Sequence, residues 1–395
     1  MAAALDWVNL LVRWAHLGFG IGWIGASFYF VWLDSHLTAP ETPRQGVEGE
    51  IWMVHSGGFY QVEKRLVGPG SMPKVLHWFK YEALFTWVTG VLLLTVIYYL
   101  TGGVYLVDPA VSTLTPGQAT VVAIAAILLS WLVYDWLWVS PLGRIGWPAT
   151  TISLALLAAA VFALTRLLAG RAAYIHIGAM LGTIMVANVW HRILPAQQRM
   201  IDATREGREP DFSEGRAAKR RSIHNSYMTF PVLFIMLSNH FPRTYGSRYS
   251  WLILALLIVA GVAARHVMIG EARARAWAAL PAAACIGAAI VLASPPRAAA
   301  GAGVTAGPRV SFGEARAVIN RRCLPCHSRF PTDSVFTMAP GGVTFDAPED
   351  IQRRADRIRE RAVNQQTMPL ANKTGITPEE RELLRRWLDG GARLE

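Results

Sequence analysis

Cys323-Leu324-Pro325-Cys326-His327 is the densest chemistry in the chain. Two thiols and an imidazole at C-x-x-C-H spacing form a c-type haem attachment site. The thiols bond the porphyrin vinyl groups, and the adjacent histidine reaches the iron from one face. A second ligand must come from the other face. Met368, in Thr367-Met368-Pro369, has enough intervening chain to cross over; its rival Met338 lies much closer to His327. A thioether opposite histidine raises the reduction potential, which suits an electron acceptor. Cys323 and Cys326 are therefore the expected covalent anchors of one haem c, and His327 and Met368 the expected iron ligands.

Nine of the ten histidines precede residue 270, among long apolar runs. Ionisable groups in spanning segments are costly and face the bundle interior. His16, His176 and His240 fall in the outer halves of three runs. His77, His224 and His266, with His191, fall at inner ends, while His36 and His55 lie in the first loop. Paired histidines can ligate haem b, neutral imidazoles can bind a metal, and a histidine near its ordinary pKa moves protons. Spacing does not choose among these, or against a plain hydrogen-bonded histidine at a helix end. Glu82, close to His77 and Lys80, is the acidic companion; Asp135, Asn188, Asn225 and Asn239 are further polar groups in the runs. The segment Glu50–Tyr60 is too apolar for an ordinary loop and too short to span, so an interfacial or re-entrant segment is expected. Its Gly57 and Gly58 allow a backbone nest for an anion, flanked by His55 and Lys64.

The elements that must position these groups follow from composition. The chain has 395 residues, is 53% hydrophobic and only 16% charged, where a soluble domain carries about 25% charge. Eight apolar runs are long enough to cross a bilayer, near 7–32, 80–100, 119–139, 148–168, 172–193, 224–241, 250–268 and 276–293. Residues 1–6 hold no Lys or Arg, so the first run reads as a span and not a cleavable signal. Fourteen Lys and Arg fall in loops 34–79, 140–147, 194–223 and 269–275, against four in the opposite set. Positive charge stays inside, so both termini lie outside, where haem c is attached. The net charge of +11 is thus explained by topology, and no nucleic-acid partner is implied. Cys285 reads as an inert buried thiol.

Residues 295–309 are rich in Pro, Ala and Gly and read as a linker. Residues 310–395 show soluble helical patterns. Thr377-Pro378-Glu379-Glu380 opens a helix whose apolar face is Leu383, Leu384, Trp387 and Leu388, ended by Gly390 and Gly391. The expected fold class is all-α. A polytopic membrane bundle of about eight transmembrane helices (1–294) is followed by a small class I cytochrome c domain (310–395).

The chain resembles the bacterial membrane-bound urate hydroxylases (urate oxidases), integral-membrane domains fused to a C-terminal cytochrome c. The resemblance covers essentially the whole chain. It rests on WAHLGFGIGWIGASFYFVWLD, VHSGGFYQVEK, LHWFKYEALFTWVTG, ANVWHRILPAQQ, IHNSYMTFPVLFIMLSNHFP and the Arg265-His266 pair. His191 departs from it, since an apolar or aromatic residue is expected there. The resemblance implies purine catabolism at the bacterial inner membrane: urate is oxidised to 5-hydroxyisourate, and electrons pass to the haem c on the periplasmic side. A soluble cytochrome c or terminal oxidase would take them onward. Other functions fit the same residues: a quinol-oxidising haem b/haem c protein, or a transporter with a tethered redox-sensing cytochrome.

Overall fold

Helix starts are written into the chain as capping residues. Thr115, Ser311 and Thr377 each accept a backbone N–H three residues on, and Gln118, Glu314 and Glu380 reach back to complete the box. The computed structural model describes residues 2–69, 72–270, 272–294 and 310–395. The expected linker 295–309 lies outside the described residues. The first half holds α1 (Ala2–His36), β1 (Val47–His55), β2 (Gly58–Arg65), α2 (Tyr81–Leu94), α3 (Pro116–Val139), α4 (Pro141–Ile145) and α5 (Trp147–Leu167). There follow α6 (Gly170–Ala187), α7 (Leu194–Arg205), α8 (Phe212–Ser238), α9 (Pro242–Tyr245), α10 (Ser250–Ile269) and α11 (Ala272–Ala293). The C-terminal part holds α12 (Phe312–Arg322), α13 (Pro348–Arg353), α14 (Ala355–Ile358) and α15 (Pro378–Asp389).

Among the described residues seven helices are long and apolar enough to cross a membrane, where eight spans were expected. The difference is α8. It is 27 residues long, but its first half, FSEGRAAKRRSI, is polar, and the apolar remainder near 224–238 is too short to qualify alone. That remainder still packs against α6 and α10 inside the bundle. α6 and α7 run on as one helical unit of 36 residues, apolar over its first part, roughly 54 Å long. Its α7 end pairs with the polar start of α8 through Arg199 and Glu214, 2.7 Å apart.

The all-α expectation fails at the first loop. Residues 47–65 form an antiparallel hairpin with His55 opposite Gly58. Ser56 and Gly57 both have positive φ, 50° and 78°, the two-residue turn that matches strand twist. The β-branched and aromatic residues that made this loop look membrane-seeking are strand formers.

α6 is the hub of the bundle. Tyr174, His176 and Ile177 are completely buried, and Leu168, Ile235 and Leu254 close around them. Gly178 permits the crossing with α8: a Cβ there would lie 2.6 Å from the Ile235 methyl. The C-terminal part has its own core of Ile319, Ile351, Leu384, Trp387 and Leu388, in which α12 packs on α15. It sits on the bundle end formed by residues 101–115, 166–169 and 239–249. Tyr105 meets Phe336 edge-on at 6.2 Å, and Arg243 pairs with Glu360 at 2.9 Å. The hairpin, α4 and α7 lie at the other end. Cys285 is half-buried, more open than its sequence context suggested. Gly178→Ala should destabilise the bundle by about 1–3 kcal/mol through overpacking, read as a lower thermal unfolding midpoint in detergent. An unchanged midpoint would show that α6 and α8 can separate freely.

Candidate functional site

The end of α12 delivers the C-x-x-C-H motif into a tight turn. The backbone N–H groups of Cys326 and His327 both bond to the Cys323 carbonyl. Arg322 anchors the turn, bonding Glu380 at 2.9 Å and the Thr374 carbonyl. His327 directs Nδ1 at the Val343 carbonyl, 2.9 Å away. That bond fixes the tautomer with the proton on Nδ1 and leaves the Nε2 lone pair for a ligand. Burial pushes the Cys323 thiol up to about 12 and Cys326 to about 11, and holds His327 below the usual histidine value. Met368 is held by its own backbone: its N–H bonds the Arg361 carbonyl at 3.0 Å, and Arg381 bonds its carbonyl at 2.8 Å.

Cys323, Cys326, His327 and Met368 all line one cavity of about 1280 Å³. Met338 does not; it is 69% exposed. Buried Arg361 Nε and Gln365 Oε1, on residues of the same wall, have no partner among the described residues. The donor set of two thiols, a free imidazole nitrogen and a thioether fits haem c. The opposite wall belongs to the bundle: Tyr105, Asp108, Arg171, His240 and Arg248 line it.

The bundle histidines do not gather. His176 uses both ring nitrogens, Nδ1 on the Ala172 carbonyl at 2.7 Å and Nε2 on the Tyr99 hydroxyl at 3.0 Å. His16 bonds the Thr86 carbonyl and Thr89 hydroxyl of α2 at 2.9 and 3.0 Å. His224 and His266 each pair with a tyrosine hydroxyl at 2.7 Å, Tyr134 and Tyr227 respectively. His240 is exposed to the cavity, and His77 is exposed just ahead of α2. Among the described residues no three His, Cys, Asp or Glu side chains are grouped to hold a metal ion. Glu82 packs on Gly22, and its Oε2 is buried without a hydrogen-bond partner. His55, Gly57 and Gly58 form the hairpin tip. Lys64 is held by Asp34 at 2.7 Å, which raises its pKa.

Spacing did not expose the tyrosine partners, because each comes from a distant segment. Nor did it expose the network at the inner end. Asp135 receives Arg192 and, at 2.9 Å, Arg221. Arg221 continues to Asn188, which donates to Asn225 at 2.9 Å. Asp135→Asn would leave the buried Arg221 without its counter-charge. The expected loss is about 3–5 kcal/mol, seen as a lower unfolding midpoint in detergent; equal stability would mean another group neutralises Arg221.

Residues 2–294 match a protein family described as urate oxidase N-terminal. Neither the curated proteins nor the solved structures gave a match.

Proposed function

We propose that this chain, which belongs to the urate oxidase N-terminal family, oxidises urate to 5-hydroxyisourate and passes the electrons to a haem c held by its own C-terminal domain. Family membership makes it a urate-related oxidoreductase, and its apolar helices suit a membrane protein. One observation carries the finer reading. The haem-type ligand set and the end of the urate-oxidase domain share a single cavity.

Urate and one water give 5-hydroxyisourate, two protons and two electrons. Haem c, when bound, supplies a one-electron acceptor in place of oxygen. Cys323 and Cys326 would anchor it through thioethers. The Val343 carbonyl holds the His327 ring so that Nε2 faces the ligand position. Met368, kept in place by Arg361 and Arg381, would supply the second ligand to the haem. The charge bias of the loops supports an inner-membrane protein with the C-terminal domain in the periplasm, where haem c is attached. A soluble cytochrome c or a terminal oxidase would then collect the electrons. The histidine placement supports hydrogen-bonding roles better than a bis-histidine haem b, since His176, the most buried, has both nitrogens engaged.

The Cys323→Ala, Cys326→Ala double variant should fold its bundle, lack covalent haem and lose urate oxidation in membranes. Full urate oxidation by that variant would sever the substrate chemistry from the C-terminal domain. Met368→Ala should keep covalent haem but lower its midpoint potential. An unchanged potential and visible spectrum would remove Met368 as ligand.

A further inference from the structure

The positive-inside bias has exceptions, and they gather in one place. Only four cations fall in the loops that join apolar runs on the side of the C-terminal domain: Arg166, Arg171, Arg243 and Arg248. All four line the cavity that faces the haem ligand set. Cations on this side oppose the charge pattern that orients the bundle, so a local use for them is expected.

Their settings differ. Arg243 is tied to Glu360, and Arg166 lies over the Phe162 ring at 5.1 Å. Arg171 is oriented without a carboxylate: Nε bonds the Asn239 side-chain oxygen at 3.1 Å, and the guanidinium lies over Tyr105 at 4.9 Å. Arg248 stacks on Tyr249 at 4.6 Å and is otherwise exposed to the cavity. The same wall receives two helix starts. α6 begins at Gly170 and α10 at Ser250, and both residues line the cavity. The positive dipole end of each favours an anion. Tyr105, beneath Arg171, reaches Phe336 of the opposite wall.

We propose that Arg171 and Arg248 bind the substrate, a planar purine anion, at the outer end of the bundle, directly against the haem ligand wall. The inference rests on the urate reading above and adds to it a binding site and a side of entry. A planar guanidinium over an aromatic ring suits a flat anion with in-plane oxygen and nitrogen atoms. Placement here brings the substrate beside its electron acceptor, in the cavity that the two walls share. The other anion such a wall could hold is a haem propionate, which shares the carboxylate-like chemistry.

The test uses the full haem-loaded protein in detergent, reduced with dithionite so that urate binds without turnover. Urate binding is measured by equilibrium dialysis, and haem midpoint potential separately, for the unaltered protein, Arg171→Gln and Arg248→Gln. Loss of a charged hydrogen-bond donor should weaken binding roughly tenfold or more in both variants, with the potential unchanged. Arg248 is exposed, so its variant keeps the test open if Arg171→Gln does not fold. A shifted potential with unaltered urate binding would assign the arginines to the propionates and overturn the proposal. Unaltered binding and potential in both variants would overturn it too. Failure of urate to bind the unaltered protein would instead refute the urate reading on which it rests.

Discussion

Helix α6 has almost no surface left for lipid, so its polar groups must find partners inside the protein. Tyr174 donates to the carbonyls of Thr244 and Ser250, which pins the outer loops. His176 takes Tyr99, and Thr183 takes the Trp87 indole, which fixes α2 and the turn after it. Asn188 joins Asn225 and Tyr134 at the inner end. Each bond ties a neighbour to the hub at a set height. At its start, α6 leaves Arg171 facing the cavity. That guanidinium is carried by the start of α6 and oriented by Asn239 and Tyr105 from the segments that follow α8 and α2.

This arrangement separates two tasks. The hairpin end pairs several of its charges: Asp135 meets two arginines, and Lys64 and Lys219 both reach Asp34. At the end facing the C-terminal domain only Arg243 meets a carboxylate among the described residues, while Arg171 and Arg248 are held by Asn239 and by tyrosine rings, beside two helix starts. An anionic ligand would find two guanidinium groups without carboxylate partners there. The C-terminal part lines the cavity at this end with Cys323, Cys326, His327 and Met368, and its own core holds the turn that carries Cys323 to His327.

Local features were legible in the chain. The Thr377 cap and the apolar face of α15 follow from short-range pattern, and the geometry agrees with both; Met368, preferred on chain length, lines the cavity with the C-x-x-C-H motif while Met338 does not. The apolar runs were legible as long helices except at α8, where one helix is polar at one end and apolar at the other. The hairpin was misread because Trp52, Val54, Phe59 and Tyr60 suit a membrane interface as well as a strand; only the Ser56-Gly57 turn distinguishes them. The histidines were legible as polar groups but not in their roles. Their partners Tyr99, Tyr134 and Tyr227 come from residues 39–90 positions away. The outer arginines were counted only as exceptions to a topology rule, and their convergence is a product of tertiary packing.

The central claim is that urate electrons reach a haem c within the same chain. The most direct measurement is the anaerobic visible spectrum of the purified, oxidised protein before and after urate is added. The account predicts reduced haem c bands appearing together with loss of urate absorbance. Haem that stays oxidised with urate, yet is reduced by a quinol, would contradict it and assign the electron carrier to a different substrate.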